Sequence, residues 1–420
     1  MPTRPSLSRR EFLASSTRTA AAVGLGATLA GQTAKAATRR IGANDRITLG
    51  LIGCGSRGTW ISHSALTADN VVCTALCDVG DFRMDETTAK ITKQMEDKGH
   101  QNIKIDRYED YRRLLERKDL DAVMIATPDH WHFAPFMAAL EAGKHIYIEK
   151  PMSYSYLLGM EMVAAAQKHP ELTIQIGTQR RSGRQYAKAK EFLDSGKLGK
   201  VKLIHAHDTR NWFFGDDPFF RKEKPAGRLD WDLFEQPCKN KHPFDLYRYF
   251  TWRWYWDYAG GLVTDVGVHV IDIAQYFMGD APPKSAVCNG GVYTYDKWET
   301  PDTVQAVLDY GTHALSFTSN FTNERMRDGL SLYGTHGTIE ILGNDVFIWE
   351  EGKRDKPVAQ FPAEDDNHQH NWLACIRSGA KPNAPIELGH SSLLPSHMAN
   401  LAYRHGKKVT WDAQARKVVM

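Results

Sequence analysis

Between residues 46 and 148, short apolar runs alternate with longer stretches of helical periodicity. Strands are expected at Arg46–Gly53, Val71–Asp78, around Ile103–Ile105, at Ala122–Ala126 and at His145–Ile148. Helices are expected after the first strand to about Ala68, then at Met84–Lys98, Tyr108–Glu116 and Phe133–Ala142. The strands are nearly continuous in β-branched residues and leucine, the pattern of a sheet covered on both faces. Strand–helix alternation of this length predicts a doubly wound parallel sheet. Ligands of such sheets bind at the strand C-termini, so the residues that close each run carry the chemistry.

Further along, a helix over residues 262–278 places Leu262, Val266, Val270, Ile273 and Phe277 on one apolar stripe. Asp265, His269, Asp272 and Tyr276 form a second stripe beside it. Asp265 and His269, four apart, are predicted to face the same way, within reach of each other. Helices are also expected at Asn371–Ser378, with Gly379 as its stop, and from Leu388 to about Arg404. His368 and His370, just ahead of the first of these, read as capping or packing residues.

The first 36 residues obey a different pattern. Ser8-Arg9-Arg10-Glu11-Phe12-Leu13 precedes the weakly apolar run Ala20–Ala30, and Ala34-Lys35-Ala36 supplies a small-x-small cleavage site. This is the order of a secretory signal, with the paired arginines of the twin-arginine variant. Its short apolar run reaches only about half of a hydrocarbon core, so it does not span a membrane. The expectation is export to the periplasm by the twin-arginine machinery, without stable membrane insertion. The segment carries a net +4, and removing it from a chain of +3 leaves about −1. A nearly neutral mature protein gives no argument for nucleic acid, whatever the pI of the precursor. Six scattered cysteines do not make a disulfide framework. Cys73 and Cys77 fall on one strand about 13 Å apart, too far to bridge, so free thiols are expected.

Gly53-Cys54-Gly55-Ser56-Arg57-Gly58 joins the first strand to its helix. Gly53 suits a tight turn, Gly55 lets a pyrophosphate approach the backbone, and Gly58 lets helix and strand pack closely. The helix N-terminus, at Ser56 and Arg57, then offers N–H groups and a positive dipole end to phosphate. Asp78 closes the next strand, placed to accept ribose hydroxyls and to repel a 2′-phosphate. NAD is therefore expected over NADP, with nearby Arg83 leaving NADP as the lesser case.

Thr127-Pro128-Asp129-His130-Trp131-His132 and Glu149-Lys150-Pro151 follow two more strands. The two histidines lack the further ligand spacing of a zinc site, so no metal is expected. Pro151 restrains Lys150 to an extended conformation at the strand tip. These motifs, with Gly260-Gly261-Leu262-Val263-Thr264-Asp265-Val266-Gly267-Val268-His269, resemble the glucose–fructose oxidoreductase / inositol dehydrogenase (Gfo/Idh/MocA) family from about residue 45 onward. The resemblance implies an N-terminal Rossmann domain and a C-terminal α+β domain with a large, mostly antiparallel sheet, often used for oligomer contacts. Domains are accordingly expected at 1–36 (signal), 37–152 (nucleotide binding) and 153–420 (substrate binding and oligomerisation), with the joint near Pro151–Ser155. It implies a catalytic group at Lys150, Asp265 and His269, and coenzyme contacts at Thr127, Pro128, His132, Glu149 and Lys150 as well as the glycine turn.

On this reading His269 is the general acid/base, Asp265 orients it, and Lys150 binds the reacting oxygen. Thr178-Gln179-Arg180-Arg181 resembles the segment facing nicotinamide and substrate, making Gln179 and Arg180 substrate candidates. Asp208, Asn211 and Trp212, at the end of another strand, offer hydrogen bonds to a polyhydroxylated ligand. Nine aromatics crowd residues 244–258, interleaved with Arg248, Arg253 and Asp257. They suit either sugar faces or a domain core or subunit interface. Three functions stay open: a sugar or cyclitol oxidoreductase with a tightly held nicotinamide, a glycosidase that oxidises its substrate transiently on bound NAD, and a non-catalytic sugar-binding protein. The glycosidase branch of the resemblance lacks the lysine of Glu-Lys-Pro, so Lys150 favours the first.

Overall fold

The computed structural model describes residues 42, 45–211, 225–364 and 366–420. The expected export peptide and Trp212 lie outside them. The first half runs β1 (Ile47–Ile52), α1 (Ser56–Ala65), β2 (Val71–Cys77), α2 (Asp81–Asp97), β3 (Asp106–Tyr108) and β4 (Ala122–Ile125). It continues through α3 (Phe133–Glu141), β5 (His145–Ile148), α4 (Tyr156–Ala166) and β6 (Ile174–Ile176). These strands form one parallel sheet in the order β3-β2-β1-β4-β5-β6. The glycine turn thus follows a central strand, flanked by the tips of β2 and β4. β1, β4 and β5 are buried along their whole length, as their unbroken apolar runs require.

Two expectations are corrected here. The third strand begins at Asp106, where the backbone pairs with Ala75–Cys77, while Ile103 and Ile105 pack against the core just before it. The joint expected near 151–155 does not end the sheet, because Ile146–Ile148 pair onward with Ile174–Ile176.

The second half holds α5 (Arg184–Asp194), β7 (Leu203–Thr209), α6 (Val268–Met278), β8 (Ser285–Gly291), β9 (Thr303–Asp309) and β10 (Ala314–Asn320). Four more strands follow: β11 (Asp328–Tyr333), β12 (Gly337–Leu342), β13 (Asp345–Glu350) and β14 (Ala359–Phe361). The chain ends with α7 (His368–Ser378), α8 (Ile386–His405), β15 (Val409–Asp412) and β16 (Lys417–Val419). All ten strands join one sheet, antiparallel except where β7 meets β10. Alternation is strict on β9: Val304, Ala306 and Leu308 point into the core, while Gln305, Val307 and Asp309 point out. The apolar stripe of α6, including Val270, Ile273 and Phe277, covers the inner face with Leu330, Leu332, Ile339 and Ile341.

α7 begins at His368, three residues earlier than expected, because the Asn367 side chain caps Gln369 and His370 N–H. His368 packs, with its ring nitrogens 2.9 Å from Ile176 O and 2.6 Å from Ser182 Oγ. α7 returns to the first sheet and adds Trp372, Leu373 and Ile376 to its core. α8 serves both halves. Leu393 joins the core of the parallel sheet and Leu394 that of the second sheet. Among the described residues no helix is long and apolar enough to cross a membrane, and no cluster of metal-ligating side chains occurs. The six cysteines are unbridged.

Candidate active site

The glycine turn is built as its residue types demand. Gly53 has φ +93°, and a Cβ there would lie 2.6 Å from the Ala126–Thr127 backbone. A Cβ on Gly58 would meet Gly53 O at 1.9 Å, so only glycine lets α1 pack on β1. A Cβ on Gly55 would meet nothing, because that side opens onto a groove of about 240 Å³. No side chain caps α1, and its first N–H groups are left to that groove. Gly53, Gly55, Ser56, Arg57, Asp78, Thr127 and Pro128 all line it. Thr127 Oγ1 and Arg57 Nε are buried without a protein partner among the described residues. An open cradle with orphaned donors fits a dinucleotide.

Asp78 holds the turn from beneath. Its carboxylate accepts the N–H of Cys54 at 2.7 Å and of Gly80 at 2.9 Å. Burial pushes its pKa up from the ordinary carboxylate value, against those two hydrogen bonds. His132 takes a different part from the one expected. It is 1 % exposed, with Nδ1 2.7 Å from Pro151 O and Nε2 2.8 Å from Thr127 O. It braces the two motif loops against each other from behind the groove, where burial holds it neutral.

Glu149 is also enclosed, at 3 % exposure. It accepts Arg57 at 2.9 Å and Gln179 Nε2 at 2.9 Å, and Gln179 also donates to Tyr147 OH. Gly177 makes room for it, since a Cβ there would fall 2.8 Å from the carboxylate. Arg57 lies over the Trp60 ring at 4.5 Å. This network ties the glycine turn to the Glu-Lys-Pro tip.

Lys150, Asp265 and His269 come together across the two halves. A π-helical turn, Val263–Gly267, precedes α6 and presents Asp265 to the strand tips. Lys150 Nζ donates to Asp265 O at 2.6 Å and to Oδ1 at 3.1 Å, and Arg253 Nε lies 3.3 Å from the same Oδ1. Burial would raise the Asp265 pKa, but Lys150 and Arg253 overcome it and hold the carboxyl well below its usual range. The contact expected between Asp265 and His269 is absent. Two cations claim the carboxylate, while no hydrogen bond or ion pair of His269 occurs among the described residues. Burial, reinforced by Lys150, Arg180 and Arg57, pushes the His269 pKa well below that of free imidazole, with only Asp265 opposing. It is a neutral base beside a paired ammonium.

The substrate candidates are partly engaged. Asp208, 4 % exposed, is bound by Arg210 through two contacts of 2.8 and 2.9 Å. Arg210, whose charge is felt by Asp265, is thus the residue that sequence reasoning missed. Arg180 pairs with Asp328. Asn211 bridges to Thr322 through the backbone. Asp129 was also missed as a site residue, while Arg253, read only as one of the charges among the aromatics, was not expected at Asp265. Asp129 is 4 % exposed, and burial together with the Asp265 charge raises its pKa well above normal, against Lys150 and Arg253. The only signal for Asp129 was its place in a motif quoted for other residues.

Two family models match the chain: the NAD-binding Rossmann fold of the Gfo/Idh/MocA oxidoreductase family at residues 47–178, and a GFO/IDH/MocA C-terminal domain at 233–340. The chain belongs to the Gfo/Idh/MocA oxidoreductases. It is a NAD-binding enzyme of the dehydrogenase class. The myo-inositol 2-dehydrogenase of Thermotoga maritima is 23 % identical over 382 residues, covering 86 % of this chain and 97 % of that protein. A glycosyl hydrolase family 109 protein of Shewanella sp. (strain MR-4) is 34 % identical over 155 residues, 34 % of each chain. Levoglucosan dehydrogenase, solved with NADH and levoglucosan, superposes with a TM-score of 0.66 at 17 % identity, covering 87 % of this chain and 99 % of its own. The parallel sheet with a second, mostly antiparallel one is thus the architecture of this family.

Proposed function

We propose that this oxidoreductase moves hydride between a carbinol carbon of a sugar or cyclitol and a retained NAD. The observation that carries the reading is the Lys150–Asp265 pair, made across the two halves and linked by Arg253 to the groove with its open glycine cradle, with His269 near enough to feel both charges. Bound nicotinamide supplies the hydride acceptor. Lys150 hydrogen-bonds the reacting oxygen and stabilises its developing negative charge. Neutral His269 takes the hydroxyl proton as the carbinol C–H leaves with its electron pair, giving a carbonyl product. Asp265 is a positioning residue that keeps Lys150 aimed. Gln179, Arg180 and Arg210 are the hydroxyl-binding groups in this reading, each already held by a protein partner. The names of the inositol and levoglucosan relatives support this substrate class.

The amino-terminal pattern supports a finer reading, in which the twin-arginine machinery exports the enzyme with its coenzyme already inside. With no outside nicotinamide pool, one substrate is oxidised as another is reduced. Replacing Arg9 and Arg10 by lysine then leaves the precursor in the cytoplasm, and normal processing of that variant counts against export by this route. Exposed Val287, Val307 and Leu342 on the outer face of the second sheet support a homo-oligomer through that face.

The test is to incubate the purified mature enzyme with sugars, cyclitols and glycosides. Reduced-nicotinamide absorbance is followed together with product analysis. A keto product with lasting reduction of the coenzyme is expected. The Shewanella relative makes a glycosidase the second reading, for which an aglycone released without net reduction is the signature.

A further inference from the structure

We propose that residues 228–258 form a cover, contributed by the chain beyond the parallel sheet, that locks the coenzyme into its groove. The inference rests on the NAD-binding reading of that groove. One wall is the glycine turn with Asp78 and Thr127; the opposite wall is Leu233, Phe234, Tyr249, Phe250, Trp252 and Arg253.

The cover is fastened on both sides of the glycine turn. At the β2 tip, Asp81 N–H donates to Arg228 O at 2.9 Å, and Asp230 N–H to Val79 O at 2.9 Å. Arg228 also pairs with Glu109 at 2.9 Å. At the β4 tip, Trp131 Nε1–H donates to Phe234 O at 2.8 Å, and His130 N–H to Tyr258 O at 3.1 Å. β2 and β4 flank β1, so the segment straddles the strand whose tip receives the phosphates.

The cover is also stiff. Phe82 of α2 packs with Phe234, Tyr249, Phe250 and Tyr258 in one buried cluster. Glu235 accepts the hydroxyl of Tyr258 and lies 2.8 Å from His242 Nδ1, tying the two ends of the segment together. The nine aromatics read from sequence as a sugar platform or a packing cluster therefore serve, in part, as the lid of the dinucleotide groove. Arg83, the residue that left NADP open, is drawn into it. Its guanidinium lies 5.0 Å from the Phe82 ring and 5.2 Å from the Phe250 ring. Arg83 lines the groove beside Asp78 while packing against these rings, so the cover and the glycine-turn wall meet at this side chain.

The test measures release of NADH from full-length mature enzyme, by loss of its fluorescence on displacement with excess NAD. Phe250→Ala is expected to release NADH at least tenfold faster than wild type, and Arg228→Ala severalfold faster. Arg228 is exposed and outside the groove, so its variant reports on the fastening even if Phe250→Ala does not fold. Release rates equal to wild type in both variants overturn the cover while leaving the coenzyme reading intact. Absence of NADH binding by the wild type overturns both.

Discussion

Lys150 reaches across the two halves of the chain to grip Asp265 twice, through the backbone carbonyl at 2.6 Å and the carboxylate at 3.1 Å. The ammonium is thereby fixed at the strand tip. Removing it in Lys150→Ala is expected to lower kcat by about 10²–10⁴, the range for a lost charge-stabilising or proton-handling group. NADH affinity, measured by fluorescence titration, stays within about threefold because the phosphate cradle is untouched. Asp265→Asn keeps the carbonyl contact and is expected to cost less, about tenfold in kcat. A Lys150→Ala enzyme that turns over at more than a fifth of the wild-type rate sinks the assignment.

His269 sets the pH dependence. Burial first, then the Lys150, Arg180 and Arg57 charges, depress its folded-state pKa well below 6.5. A depressed histidine favours folding while it is neutral, so that contribution is present above about 6.5 and is lost as pH falls toward the folded value. Oxidation should therefore keep its base unprotonated at pH 6, where free imidazole is largely charged. Removing one of the cations in Lys150→Met is expected to move the imidazole titration upward. NMR of ring-labelled histidine, with the signal assigned by its loss in His269→Asn, reads the shift directly. A titration unchanged by Lys150→Met contradicts the cluster geometry.

Much of this arrangement is legible in the sequence. Gly53, Gly55 and Gly58 stated their separate steric tasks in their spacing, and the buried strands showed themselves as unbroken apolar runs. The pairing of Asp265 was not readable. Helical periodicity aimed it at His269, and no local pattern reveals that a π turn and two distant cations, Lys150 and Arg253, redirect it. His132 misled for a similar reason: its type suits a ligand contact, but both ring nitrogens lie against backbone carbonyls. The cover was hidden because its aromatic composition announces burial without naming the partner surface. Such long-range choices are made by tertiary packing, and composition carries them only as ambiguity.

The joint between the halves rests on a buried charge pair. Arg181 Nε lies 2.8 Å from Asp272, and Arg181 NH2 lies 2.6 Å from Asp280. The Arg181 and Asp272 side chains are 3 % and 1 % exposed. Breaking such a pair strands a charge in low dielectric, so Arg181→Met is expected to destabilise by about 3–5 kcal/mol. Asp272→Leu in the same chain removes the stranded charge, and the double variant should recover most of the loss. Urea unfolding of the single and double variants checks this. A double variant no more stable than Arg181→Met means that packing, and not the uncompensated carboxylate, accounts for the effect.

Two glycines three residues apart, Gly55 and Gly58, should separate folding from coenzyme binding. Gly58→Ala drives a methyl to 1.9 Å from Gly53 O, a contact between two backbone segments that neither can relieve. It is expected to unfold or strongly destabilise the parallel sheet, visible as a large fall in Tm. Gly55→Ala meets no protein atom within 4 Å, so its Tm should stay close to wild type. Its methyl points instead into the groove where the pyrophosphate must approach, and NADH affinity should fall about tenfold or more. Calorimetry for stability and fluorescence titration for NADH read the two effects independently. If Gly55→Ala binds NADH as tightly as wild type, the cradle at the start of α1 is not where the phosphates sit.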